Sequence, residues 1–300
     1  MTKTRVHSHT SSIFIALLVT FLWSTSFIII KLGLGEIPPL TFAGLRYTIA
    51  FMCLLPFALK KERIEEIKKI EKRDWLKLIA LGFIFYTFTQ GTQFLGLSLL
   101  PAVTVSLLLN FSPVVVAVMG IFLLSEIPSV RQWFGAFLFI AGVMVYFFPA
   151  DLSASKITGL IVMSVGVIAN ASSSILGRSV NRGGKFHPLT VTIISMGVGS
   201  IVLLVVGIAV QGFPAIGLKN ILFLLWLAGI NTALAFTLWN LSLRSLTAME
   251  SSIINGTMLI QIAILAWVFL GETITLKEFA GMIIAAAGAL LVQMKKSNKA

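Results

Sequence analysis

The sequence predicts an all-α polytopic membrane protein whose ten transmembrane helices form two inverted five-helix repeats. Three observations carry this. Apolar residues make up 57% of the 300-residue chain, against about 45–50% in a soluble domain. Only 11% are Asp, Glu, Lys or Arg, against about 25%. Ten separate stretches are long enough to cross a hydrocarbon core of about 30 Å, which takes about 20 predominantly apolar residues. Mean hydropathy is +0.99, and 23 Lys and Arg outweigh 11 Asp and Glu for a net +12. That excess would fit a nucleic-acid partner only if basic residues clustered with aromatics on one folded face. Here they alternate with apolar spans, so no nucleic acid is expected.

The first span, 12–34, follows Lys3 and Arg5, runs long and lacks a small-residue cleavage site, so it reads as a retained helix and not a signal peptide. It carries Trp23, and Lys31 shares a helical stripe with Thr20, Ser24 and Phe27. Lys31 stands about three residues from the far end, and two roles are open to it: snorkelling to the interface or serving as an outer-gate cation. The second span, 39–59, holds Arg46 about 10 Å below its outer end at 1.5 Å per residue. An ionisable group at such depth costs free energy and is a functional candidate by default. Arg46 offers a bidentate site for a carboxylate or phosphate; the competing reading is a purely structural arginine bound to carbonyls or headgroups. Cys53, the single cysteine, excludes an internal disulfide and a cysteine metal cluster.

Span three, 75–97, places Tyr86, Gln90 and Gln93 at i, i+4 and i+7, a polar face that either bonds neighbouring helices or lines a wet cavity. Span four, 101–124, carries Asn110. Span five, 131–149, has Gly135 and Gly142, which suit close helix approach. Span six, 157–180, carries Asn170, Ser173 and Ser174, with Arg178 as a topology anchor. Span seven, 188–210, opens after His187. Span eight, 219–242, carries Asn231, Trp239 and Asn240. Span nine, 247–270, begins with Glu250 and sets Thr257 and Gln261 on one stripe. Glu250 is the candidate proton-coupling carboxylate, or else a gate residue or partner of Arg244. Span ten, 274–294, repeats the small-residue pattern with Gly281, Ala285-Ala286-Ala287 and Gly288. Trp23, Trp226, Trp239 and Trp267 could stack on an aromatic ligand or mark the interface.

With the N-terminus in the cytosol, eighteen of the 23 basic residues fall in inner segments, three (Lys156, Lys219 and Lys277) in outer ones, and Lys31 and Arg46 within spans. Both termini are therefore expected on the cytosolic side of the cell membrane. The charged segment Lys60 to Asp74 reads as an amphipathic helix with Ile64, Ile67 and Ile70 on one side, resting on anionic headgroups or else solvated.

An offset of 146 residues lays Ser125-Glu126, Gly135 and Ala141-Gly142 on Gly271-Glu272, Gly281 and Ala287-Gly288, and carries Pro101-Ala102 onto Thr247-Ala248. Pro39-Leu40-Thr41 falls on Pro188-Leu189-Thr190, and Lys31 near Arg178. The repeats are thus 1–150 and 151–300. Five helices per unit is odd, so the second copy enters the membrane from the opposite side, as in many secondary transporters. Glu126 and Glu272 stand at helix ends, where a carboxylate suits a first turn.

Trp23-Ser24-Thr25-Ser26-Phe27 with Lys31, Leu45-Arg46-Tyr47 with Ala50, Ser112-Pro113, and the Glu126 and Glu272 elements resemble the EamA family of the drug/metabolite transporter superfamily. The resemblance implies a 5+5 carrier with a central cavity and a substrate class of amino acids and other small metabolites, often exported. Where the family often has Glu-Pro in helix nine, this chain has Met258-Leu259.

An intramembrane enzyme would need paired acids, a metal set or a nucleophile with its base. The histidines are His7, His9 and His187, and no H-E-x-x-H, G-x-S-x-G or Walker loop is present. No catalysis, cofactor or metal is expected. The expectation is a secondary transporter of small metabolites working by alternating access in the lipid bilayer, as monomer or homodimer, with amino-acid export as the leading substrate class. An uptake carrier or facilitative channel for a sugar, nucleoside or polyamine is the alternative. The expected substrate residues are Trp23, Arg46, Tyr86, Gln90, Gln93, Asn110, Asn170, Trp239, Thr257 and Gln261, with Lys31 and Glu250 for gating or coupling.

Overall fold

The computed structural model describes residues 9–124, 129–148, 153–182, 185–242, 245–246 and 248–293, and every regular element among them is helical. Ten helices are long and apolar enough to span: His9–Gly33, Pro39–Ala58, Lys72–Leu99, Ala102–Phe122, Val130–Phe147, Ala154–Val180, Pro188–Gln211, Leu218–Trp239, Ile253–Leu270 and Leu276–Gln293. Each falls on a stretch expected from the sequence, with ends moved by a few residues. The face from which His9 starts is called near; ten crossings bring Gln293 back to it, and the opposite face is far.

Spans five and ten pack on each other, as do two and seven, while span one lies against eight and nine and span six against three and four. Exchanging the two halves maps each of the first two pairs onto itself and turns the last two groups into one another. That is the packing of an inverted repeat about an axis in the membrane plane.

Glycine sets the closeness of the pairs. A Cβ on Gly142 would stand 2.7 Å from the Gly281 carbonyl, and one on Gly135 would stand 2.8 Å from the Gly288 carbonyl. Spans five and ten therefore touch backbone to backbone, the contact that small residues permit in lipid. Span five is also tied at its start: Ser129 and Gln132 form a capping box, and Gln132 Nε2 donates to the Val292 carbonyl at 3.1 Å.

Three spans depart from regular α geometry. Span three passes through a π-helical stretch, Gly82–Thr89, and span eight through another, Gly229–Leu234. The two start 147 residues apart, within one residue of the repeat offset, so both halves carry the same irregularity. Span four breaks between Ala102–Leu109 and Ser112–Leu124, where Pro113 has no N–H to continue the ladder.

The charged loop is a correction to expectation. Lys61–Lys68 is helical, yet Ile64, Ile67 and Ile70 do not share one membrane-facing side. Ile70 is buried and Ile67 packs beside it against Leu78, Leu81, Val180, Val191 and Ile194, while Ile64 is 37% exposed. Loop polar groups instead grip the link between spans six and seven. The Glu66 carboxylate accepts from the His187 amide at 2.6 Å, Thr190 Oγ1 at 2.6 Å and Arg63 Nη1 at 2.8 Å. Lys185 Nζ pairs with Asp74 at 2.6 Å and Glu71 at 3.0 Å. The equivalent loops at the far face do the same: Leu40 N donates to Gln211 Oε1 at 2.8 Å, Thr41 Oγ1 to the Gly212 carbonyl at 3.0 Å, and Asn220 Nδ2 to Glu36 at 2.5 Å.

Burial acts to raise the Glu66 carboxyl, but the hydrogen bonds from Thr190, the His187 amide and Arg63 outweigh it and hold it below the ordinary glutamate value. Its stabilising contribution is complete above that ordinary value, about 4.3, and is lost as pH falls through the lower folded value. Amide exchange in 61–70 and 185–190, corrected for intrinsic rates, should therefore accelerate on going from pH 7 to pH 3, and Glu66→Gln should remove most of that response. Gly142→Leu should force spans five and ten apart and cost at least the 1–3 kcal/mol typical of roughly one overpacked site; an unchanged melting temperature in detergent would contradict the backbone contact.

Candidate functional site

Arg46 lies on span two and is only 5% exposed. Its Nε donates to Thr232 Oγ1 at 3.2 Å and its Nη2 to Ser26 Oγ at a long 3.5 Å. The guanidinium carbon is 5.1 Å from the centre of the Tyr47 ring. Nη1 has no hydrogen-bond partner, and no carboxylate pairs with the side chain, among the described residues. A guanidinium has five N–H donors, and a buried charge left without compensation is costly. Its bonds go to two hydroxyls, from spans one and eight, and to no carbonyl among the described residues.

The π segment of span eight supplies those surroundings. Asn231, fully buried, donates from Nδ2 to the Leu22 carbonyl at 2.6 Å, Ser26 Oγ at 2.8 Å and Thr25 Oγ1 at 3.1 Å. Its Oδ1 is buried without a partner among the described residues. Thr232 Oγ1 donates to the Leu227 carbonyl at 2.8 Å, five residues back, the spacing of a π-helix. Ser26 thus joins Arg46 to Asn231, and the π turn brings Asn231 and Thr232 together toward spans one and two.

On the other side of Arg46, Tyr47 donates to Gln90 Oε1 at 2.6 Å, and its ring packs on Tyr86 at 5.6 Å between centres. Tyr86 and Gln90 are buried and Gln93 is half-buried. Tyr86 and Gln90 thus both contact span two.

The remaining expected residues form three further groups. Gln261 takes a hydrogen bond from Ser24 Oγ at 2.9 Å and donates to Thr257 Oγ1 at 3.0 Å and Thr20 Oγ1 at 3.3 Å, a polar ladder between spans one and nine. Trp23 packs against Trp239 and Phe236, ring centres 5.2 and 5.4 Å away. At the break in span four, Asn170 Nδ2 donates to Ser112 Oγ at 2.9 Å, while Asn110 bonds the Ser106 carbonyl of its own helix at 2.8 Å. Glu250 lies at the near face, 2.9 Å from His9 Nε2; Arg244, its expected partner, lies outside the described residues, as does Glu126.

Lys31 does not snorkel. Its Nζ donates to the Leu97 and Leu100 carbonyls at 2.7 and 2.6 Å, at the end of span three. A cavity of about 490 Å³ opens at the far face, bordered by Leu100, Pro101, Val103, Thr104, Tyr146 and Glu272. None of the ten expected substrate residues lines it. No group of three metal-binding side chains occurs among the described residues.

Ser26, Asn231 and Thr232 were not among the expected substrate residues. Ser26 belongs to the polar run Trp23-Ser24-Thr25-Ser26, and Asn231 with Thr232 follows Gly229, but only the π turn shows that they converge on Arg46.

A model of the EamA-like transporter family matches residues 10–148 and again 157–294. An uncharacterized transporter of Bacillus subtilis is 29% identical over 302 residues, covering 95% of this chain and 93% of that protein. An uncharacterized transporter of Archaeoglobus fulgidus is 27% identical over 285 residues, covering 93% and 96%. A protein of Salmonella typhimurium named a probable amino-acid metabolite efflux pump is 26% identical over 290 residues, covering 92% of each. A solved crystal structure matches with a TM-score of 0.66 over 94% of this chain and 97% of that chain, at 17% identity, a likeness of fold alone.

Asn231→Leu should remove the three bonds to span one and leave Ser26 and the Leu22 carbonyl short of a donor. The expected loss is roughly 1–3 kcal/mol, read as a lower melting temperature of the purified protein; no shift would mean that the amide is not what joins spans one and eight.

Proposed function

The chain belongs to the EamA-like transporter family, and from that premise we propose that it is a secondary carrier that exports amino acids or closely related metabolites by alternating access. It works in the cell membrane with both termini in the cytosol. One observation carries the substrate reading: a guanidinium buried between spans one, two and eight keeps its Nη1 without a protein partner among the described residues. A carboxylate is an acceptor that would answer that donor with a charge-assisted bond. The name of the Salmonella relative, a probable amino-acid metabolite efflux pump, supports the same class and direction.

Two further observations support the mechanism. Spans four and nine, one from each half, meet through the far segment Ala102–Leu109. The basic residues concentrate at the near face, which supports a cytosolic near face.

Counterflow of labelled amino acids in proteoliposomes tests this. Saturable exchange is expected, and Arg46→Gln at normal protein levels should weaken apparent affinity about tenfold or more, corresponding to the roughly 1.5–3 kcal/mol of a bond to a charged group. Arg46→Lys should recover only part of it, since the ammonium keeps the charge without the fork. An unchanged affinity in Arg46→Gln would remove the arginine from the site, and non-saturating flux would indicate a channel.

A further inference from the structure

Spans three and four meet at the far face through only Leu100 and Pro101. Two helix ends with opposite dipoles stand side by side there. The carbonyls of Leu97 and Leu100 receive Lys31 Nζ from span one. The amides of Ala102 and Val103 receive the Glu272 carboxylate at 2.8 and 3.3 Å. Glu272 comes from the other repeat, on the link between spans nine and ten, and follows Gly271, whose φ of 66° is the left-handed turn that favours glycine. A cation thus holds the negative end of one helix and an anion the positive end of the next.

What these two residues hold is a short, separate piece of helix. Ala102–Leu109 is cut off from the rest of span four by the break at Asn110 and Phe111, and Ala102, Val103, Thr104, Val105, Ser106 and Leu107 are buried. It packs on spans six and nine, one from each of the two mirrored groups. The cavity of about 490 Å³ reaches Glu272, Pro101 and Thr104. Open space from the far side therefore extends to the two helix ends.

We infer that Lys31 and Glu272 form the latch of the far-side gate, and that Ala102–Leu109 is the piece they hold shut. The inference rests on the alternating-access reading. Both are positioning residues: they set where the segment stands and do not touch the transported molecule. Opening requires the carboxylate to leave the two amides, so neutralising it shifts the population toward the far-open state.

The test is labelling by a membrane-impermeant maleimide supplied from the far side. Cys53, which is exposed, is first replaced by serine, and Ser106→Cys introduces a single thiol in the segment; Ser106 is 3% exposed. Glu272→Gln should speed labelling about tenfold and Lys31→Met should speed it to a smaller degree. Glu278→Gln, which alters a carboxylate of the same cavity that bonds Thr275 and not the two amides, should leave the rate unchanged. Glu272→Gln and Lys31→Met proteins that elute and melt like the parent yet label at the parent rate would overturn the latch. If Glu272→Gln does not fold, the Lys31→Met rate alone decides in the same way. Labelling needs no substrate, so a failed latch leaves wild-type counterflow intact, whereas a failed carrier reading abolishes counterflow with the labelling pattern still readable.

Discussion

A backbone amide or carbonyl without a partner cannot turn to water inside hydrocarbon, so an interruption of a membrane helix must be answered from within the protein. The polar residues of this protein are arranged around that constraint. The turn between spans three and four is answered by Lys31 and Glu272. Beside the break in span four, Asn110 bonds the Ser106 carbonyl and Asn170 holds Ser112. The π turn of span eight exchanges bonds with Ser26 and the Leu22 carbonyl through Asn231. Arg46 differs from these groups in its charge: it is buried with Nη1 unpartnered among the described residues, which is why it carries so much of the functional reading.

The two halves are joined by two kinds of contact with different consequences. Spans five and ten meet backbone to backbone through glycine, with no rotamer freedom to exploit, and the loop contacts of Glu66 and Lys185 at one face and of Thr41 and Asn220 at the other fix the ends of spans two, three, six, seven and eight. Spans four and nine are joined instead through one short segment held by two ionic side chains. Packed cores and interfaces change between discrete arrangements and do not deform smoothly, so rearrangement concentrates where the covalent and packing constraints are weakest, at the segment bounded by Pro101 and Pro113.

The spans, their odd number per repeat and the glycine seam of five and ten were legible because they rest on composition and on spacing within one stretch. The site was less so. Tyr86, Gln90 and Gln93 were placed by an α-helical period, but span three runs through π geometry up to Thr89 and takes Tyr86 and Gln90 into contact with span two. Lys31 looked free to snorkel because its acceptors lie 66 and 69 residues away on another span. Ile64, Ile67 and Ile70 share spacing but not environment, since spans three, six and seven offer a surface for the last two alone. Period finds the elements; it does not find which element answers which.

The same limit explains the most informative difference between the halves. The match of Pro39-Leu40-Thr41 to Pro188-Leu189-Thr190 carries Arg46 onto Ser195. Ser195 faces the π segment of span three, where a Cβ on Gly82 would meet its carbonyl at 2.5 Å. Arg46 faces the π segment of span eight, where it meets Thr232 through its side chain. One half closes this joint with backbone against backbone; the other opens it and inserts a cation. A scaffold duplicated by inversion would by itself give two equivalent sites, one for each half. Placing a guanidinium in one half where the other has Ser195 breaks that equivalence.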